Sequence, residues 1–338
     1  MKRSSLKLRA TRWVARNFGV LTLSLLTLSA SAENPFTGHW ALTIPGGGAG
    51  WLGVDENGGK LAASILWGGG SVLPVDEVAV SGDRLVLKRF SSSGGPGAKV
   101  VTTETITAER DGDRLKLTTV KSRPGRPEFD QAEFGGRLTP PLPPAPDLTT
   151  VHYGPPFHIF NGMNLDGWRL INPKDANGWV VHDGVLSNYP VQEEGKPHRS
   201  YGNLRTVQEF GDFNLQVEVN VPPNGNSGIY LRGIYEVQVA DTHGRPVNAH
   251  NMGGIYSRIK PSEAVEKPAG EWQTLDITLV DRHVTVILNG KRIIDNKAVI
   301  GCTGGALWSD PSLFGPIYLQ GDHSGVNYRN MVLRSASK

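Results

Sequence analysis

"HVTVILNGKRIID", residues 283 to 295, sets apolar and polar side chains in alternation on both sides of Asn289-Gly290. A two-residue Asn-Gly loop is favoured where two antiparallel strands must keep their right-handed twist, because both positions take positive φ. The stretch therefore predicts a β-hairpin. Working outward, "NLQVEVNV" (214–221), "EVQVAD" (236–241) and "QTLDITLV" (273–280) repeat the period of two. "ALWSD", "PIYLQGD" and "YRNMVLR" extend the set toward the C-terminus. About a dozen such strands over residues 151–338 predict two stacked antiparallel sheets, a jelly-roll sandwich. "SEAVEK" (262–267) is expected to add one helical turn.

Residues 36–138 predict a second, smaller β domain. Short strands such as "HWALTI", "KLAASILW" and "RLKLTTV" are separated by Gly-Asp and Asn-Gly turn signals. This spacing fits an antiparallel barrel or small sandwich. "FSSSGGPGAKV" (90–100) reads as a loop. Trp40, Trp51 and Trp67 are either core residues or a binding platform. Between the two domains, residues 139–150 carry Pro140, Pro141, Pro143, Pro144 and Pro146. Proline cannot donate to a ladder, so this reads as an extended linker. The fold class is all-β throughout.

Residues 1–32 read as an export signal. Lys2, Arg3, Lys7, Arg9, Arg12 and Arg16 precede an apolar run from Phe18 to Leu28, and Ala30-Ser31-Ala32 offers a cleavage site before Glu33. The run is short for a bilayer span, and an uncleaved anchor is the alternative reading. The expected location is the periplasm or outside the cell. The leader holds six of the 35 basic residues and no acidic one, so 29 basic groups then face 32 acidic ones. That balance gives no footprint for nucleic acid. Cys302 is the only cysteine, so no internal disulfide can form.

"NSGIYLRGIYEVQVADTHG" (226–244) is a strand pair unusually rich in groups that bind or move protons. If Val237 and Val239 point inward, Glu236 and Gln238 share the opposite face. A bulge near Ala240 would bring Asp241 round to join them. Arg232, across the Gly233 break, is placed to pair with Glu236 or hold a ligand oxygen. A second cluster, Gln320, Asp322 and His323, ends the strand "IYLQ". Tyr230, Tyr235, Tyr318 and Tyr328 flank both clusters. Aromatic faces with amides, carboxylates and guanidinium suit a sugar. A solvated outer face is the plainer alternative. His243, His250 and Asp241 lack a recognised metal-ligand spacing, and no cofactor is demanded. Oxygen ligands scattered over loops leave room for a divalent cation such as calcium.

Five segments occur in order: "FNGMNLDGWRL" (160–170), "WVVHDGVLSN" (179–188), "NSGIYLRGIYEVQVADT" (226–242), "GEWQTLDITLVDRHVTVILNG" (270–290) and "GPIYLQGDHSGVNYRNMVLR" (315–334). Together they resemble the 3-keto-disaccharide hydrolase family, whose fold is similar to the concanavalin A-like lectin/glucanase sandwich. The resemblance implies cleavage of glycosides whose C3 hydroxyl has been oxidised to a ketone. The ketone acidifies the C2 proton, a base removes it, the C1 substituent leaves, and water adds back. On this resemblance Glu236 is the base and His323 a second acid/base. Arg232, Gln238, Asp241, Gln320, Asp322 and Tyr230 bind substrate. "GDHSG" departs from the Gln-then-His-Gly pattern expected there. Two other readings remain open: a glucanase, whose Glu-x-Asp-x-x-Glu pattern Glu236, Gln238 and Asp241 resemble, and a non-catalytic glycan-binding module.

Overall fold

The Asn289-Gly290 turn closes the expected hairpin. Asn289 has φ 51° and Gly290 φ 81°, and Leu288 pairs with Lys291 across the turn. The computed structural model describes residues 34–93 and 100–338; the leader expected over 1–32 lies outside them. The described residues contain no helix, and so none long and apolar enough to cross a membrane.

Two sheets stack in the C-terminal part. One has nine strands: seven run in the order Trp179–His182, Val185–Asn188, Val326–Ser337, Phe213–Asn220, Trp272–Val280, His283–Leu288 and Lys291–Ala298, and the short strands His152–Tyr153 and Phe157–His158 also pair with Val326–Ser337. The other has five: Trp168–Leu170, Leu204–Thr206, Tyr318–Leu319, Asn226–Leu231 and Tyr235–Ala240. Alternation fills the space between them. Leu215, Val217, Val219, Ile277, Val286 and Leu333 meet Ile229, Leu231, Val237, Val239 and Leu319, all buried. Each such side chain contributes ~1.5–3 kcal/mol of transfer free energy. "SEAVEK" forms no helical turn. Pro261 and Pro268 bracket it, and Ser262 N–H donates to Ile293 O at 2.8 Å, tying it to the neighbouring strand.

The N-terminal sheet has nine antiparallel strands whose two end strands are Leu73–Pro74 and Glu77–Ser81. These are consecutive in the chain, separated only by Val75 and Asp76. Val75 N–H donates to Ala63 O, and Asp76 N–H to Lys88 O, so one segment passes from one edge of the sheet to the other. The sheet is thereby closed into a barrel, which removes its open edges. Trp40, Leu52, Ile65, Leu87, Ile106 and Leu117 fill it. Phe90 to Ser93 and Val100, expected in a loop, belong to a ladder that runs from Arg84↔Glu109 to Ser93↔Val100; residues 94–99 of that stretch lie outside the described residues.

Residues 34–338 are one compact unit. Ala49, Trp51 and Leu66 leave the barrel surface and join the core of the sandwich. The proline-rich stretch is pinned rather than free: Arg282 donates to the carbonyls of Pro140 and Pro141, and Asn296 Nδ2 to Pro146 O at 2.9 Å. The tryptophans form no platform. Trp40 is barrel core, Trp51 lies under the Arg258 guanidinium at 4.3 Å, and Trp67 packs edge-on against Phe134.

Candidate functional site

The register of the five-stranded sheet builds the site. Tyr230 is opposite Glu236 on one side and opposite Tyr318 on the other, so these three polar side chains sit abreast on neighbouring strands. Ile229, Val237 and Leu319 form the adjacent row and point into the core. Strand Tyr235–Ala240 is buried along its whole length, because loops cover the face expected to be wet. Between sheet and loops lies a cavity of about 320 Å³. Glu236, Tyr230, Tyr318, Gln320, Asp322 and His323 line it, together with Asn203, Asn226, Tyr256, Gly304 and Gly305.

Glu236 is 3% exposed, and its carboxyl lies over Gly228, where a Cβ would stand 2.3 Å from Oε1. Glycine is required there for the side chain to fold down onto the sheet. Burial pushes the Glu236 carboxyl up to about 8, although a Tyr230 hydrogen bond and the nearby His323 charge act the other way. Tyr230 Oη is 2.9 Å from Glu236 Oε2 and 2.6 Å from Gly304 O. A phenol has one proton, and a carbonyl can only accept. With Glu236 protonated both contacts are satisfied: Glu236 donates to Tyr230, and Tyr230 donates to Gly304 O. Tyr318 hydroxyl donates to Gly305 O, and its ring stacks on Tyr230 with centroids 3.8 Å apart.

His323 is half-buried, with Nδ1 2.6 Å from Asp322 Oδ1. This hydrogen bond is the main reason the imidazole titrates above its ordinary range and the Asp322 carboxyl below its own. With Nδ1 held by the carboxylate, Nε2 is the nitrogen left for a ligand. Gln238 is 4% exposed, and its Nε2 donates to Asn226 Oδ1 at 3.2 Å. Gln320 Oε1, on the cavity lining, is a buried acceptor without a protein partner, which makes it receptive to a ligand hydroxyl; Gln238 Oε1 is also unpartnered but Gln238 does not line the cavity.

Besides Gln238, two further expected residues lie outside the cavity lining. Arg232 (φ 53°) and Gly233 (φ 68°) make a tight turn, which breaks the strand alternation. The Arg232 side chain donates to Pro311 O and lies 4.0 Å from Asp212, so it neither pairs with Glu236 nor lines the cavity. The bulge near Ala240 does not form. Asn226 pairs in register with Ala240, Asp241 N–H continues the ladder to Gly225 O, and the Asp241 carboxylate accepts from Asn224 N–H at 2.9 Å. The acid that a glucanase pattern would place beside Glu236 is thus occupied in a turn. Of the flanking tyrosines, Tyr235 and Tyr328 turn into the core and only Tyr230 and Tyr318 line the cavity. Asn203, Tyr256, Gly304 and Gly305 had no sequence signal, since loops distant in the chain deliver them. Asn226 opens a stretch already singled out and was legible by parity with Gly228 and Tyr230. Among the described residues no three His, Cys, Asp or Glu side chains converge as a metal centre.

A family model described as a 3-keto-alpha-glucoside-1,2-lyase-like domain matches residues 157–334. The chain belongs to this family. A 3-keto-disaccharide hydrolase of Bacteroides thetaiotaomicron is 26% identical to it over an alignment of 165 residues; the match covers 40% of this chain and 57% of that relative. Two crystal structures from Parabacteroides distasonis, provisionally described as glycosyl hydrolases, also match. One is 22% identical with a TM-score of 0.41, covering 53% of this chain and 93% of the other. The second is 27% identical with a TM-score of 0.40, covering 54% and 100%. Every sheet residue of the cavity lies within the family domain, whereas the barrel lies before it.

Proposed function

We propose that this protein cleaves glycosides bearing a ketone at C3 of the sugar, by removing the C2 proton and expelling the C1 substituent, with water adding back to give net hydrolysis. The observation that supports it is the pairing, in one cavity, of a buried carboxylic acid with a carboxylate-oriented imidazole. The roles anticipated for Glu236 and His323 exchange at neutral pH. Glu236 keeps its proton up to about 8, so it serves as the acid. His323, oriented by Asp322, takes the C2 proton at Nε2. The C2–H electron pair moves into the enolate, the C1–O bond breaks, and Glu236 gives its proton to the departing oxygen. Gln320 and Asn226 hold sugar hydroxyls, and Gln238 orients the Asn226 amide from behind. Each of the two proton transfers is worth ~10²- to 10⁴-fold. A leader cleaved near Ala32-Glu33 would place this activity in the periplasm or outside the cell.

The test is turnover of a 3-keto-disaccharide beside its unoxidised parent. Release of the second sugar from the oxidised form alone is the expected outcome, and release from neither abolishes the proposal. The roles separate in Glu236→Gln. A glutamine cannot donate a proton to a poor leaving group, so an alkyl 3-keto-glucoside should lose roughly 10²-fold or more in kcat. A nitrophenyl 3-keto-glucoside, which leaves unaided, should lose far less, and C2 should still exchange with deuterated water. Equal loss on both substrates would make Glu236 the C2 base instead.

A further inference from the structure

The family domain does not complete the cavity. Gly69 and Gly70, from the barrel loop between strands Lys60–Trp67 and Leu73–Pro74, also line it. The loop is fastened to segments that are themselves cavity walls. Gly305 N–H donates to Gly68 O at 3.3 Å, and Val72 N–H donates to Ser257 Oγ at 2.9 Å, next to Tyr256. Ser71 Oγ is 2.9 Å from His250 Nε2. Contact with the opposite wall is close: a Cβ on Gly304 would stand 2.2 Å from Gly70 O, so residue 304 must be glycine. Below the loop, Trp51 seats the barrel in the sandwich core.

From this we infer that loop 68–72 of the barrel is a substrate-selecting wall, which sets the size of the group beyond the reacting ring that can accompany a molecule to Glu236 and His323. For the glycoside reading above, on which the kinetic arm of the test rests, that group is the part of the substrate outside the keto-sugar. The barrel is then a working part of the site and not a separate module.

Gly69 offers a clean probe. An added Cβ there has no heavy atom within 4 Å, and its φ lies outside the left-handed range. Cys302, the only cysteine, is fully buried, so a thiol placed by Gly69→Cys can be modified selectively. The variant is capped through a disulfide, first with a methylthio group and then with glutathione. Ser81→Cys, exposed on the barrel and outside the cavity lining, is the control. Acylation of His323 by diethyl pyrocarbonate, read by peptide mass, needs no substrate. It should slow progressively with cap size in Gly69→Cys alone and recover with dithiothreitol. With turnover as the second readout, kcat/KM for a 3-keto-disaccharide should fall roughly tenfold or more under a cap that spares a methyl 3-keto-glucoside. Unchanged His323 reactivity under the larger cap overturns the wall. Equal loss for both sugars overturns its selecting role. A chain that shields His323 yet turns over neither sugar before capping keeps the wall and discards the keto-sugar reading.

Discussion

Glu236 carries a stability signature besides its proposed role in catalysis. Its folded-state carboxyl titrates near 8 because burial penalises the charge. The unfolded chain releases that proton near the ordinary 4.5. Between those values the native state holds a proton that the unfolded state has lost, so native stability falls as pH rises through that window. The loss is on the order of a few kcal/mol. Glu236→Gln removes the slope, and its melting temperature should exceed that of the unaltered chain at pH 9 while matching it near pH 5. Asp322→Asn acts on the other partner. Without the carboxylate the His323 imidazole should fall back toward its ordinary range, visible in its NMR titration. The acid limb of kcat/KM, where His323 must be neutral, should move to lower pH with it. The alkaline limb, where Glu236 must keep its proton, should remain near 8.

On the scale of an element, the strand Asn226–Leu231 carries two devices two residues apart. Tyr230 supplies the hydroxyl between Glu236 and Gly304, and Gly228 supplies the space in which the Glu236 carboxyl lies. Gly228→Ala puts a methyl 2.3 Å from Oε1, and the backbone pairing with Gln238 prevents the strand from moving away. The carboxyl must swing out. Overpacking of this kind costs ~1–3 kcal/mol. The expected result is a modest fall in melting temperature with a loss of kcat comparable to that of Glu236→Gln. A variant that kept full kcat would show that the carboxyl does not work from its seat on the sheet. The neighbouring turn shows the converse. Arg232 and Gly233 both adopt positive φ, and this rotation takes the guanidinium away from Glu236 toward Pro311.

For the whole molecule, the joint between barrel and sandwich decides the shape of the site. Trp51 is 5% exposed, is stacked by Arg258, and fits against Gly301, where a Cβ would come within 2.5 Å of the indole. Arg258 also donates to Cys302 O, next to the loop that carries Gly304 and Gly305. Trp51→Ala empties this joint. A loss of ~3–5 kcal/mol is expected in denaturant unfolding. Because the joint underlies the cavity wall, KM should rise more than kcat falls. Unchanged KM in a destabilised Trp51→Ala would mean that the barrel holds the sandwich without shaping its site.

Alternation in the sequence determined the main strands of the sandwich and the facing of most of their side chains, and five ordered segments carried the family resemblance. Period-two alternation and the Asn289-Gly290 turn depend on local backbone geometry, which no distant contact needs to supply. For the same reason alternation by itself puts Glu236, Tyr318 and Gln320 on the side of their strands away from the core. Tertiary structure alone decided which of those faces were covered. The protonation of Glu236 depends on burial beneath loops far away along the chain. The removal of Arg232 and Asp241 depends on a turn and an unbroken ladder, and parity cannot foresee either. Above all, Gly69-Gly70 meet Gly304-Gly305 where the barrel, with Trp51 seated in the sandwich core, is fastened to the sandwich, and contact between segments so far apart leaves no periodic trace in the sequence.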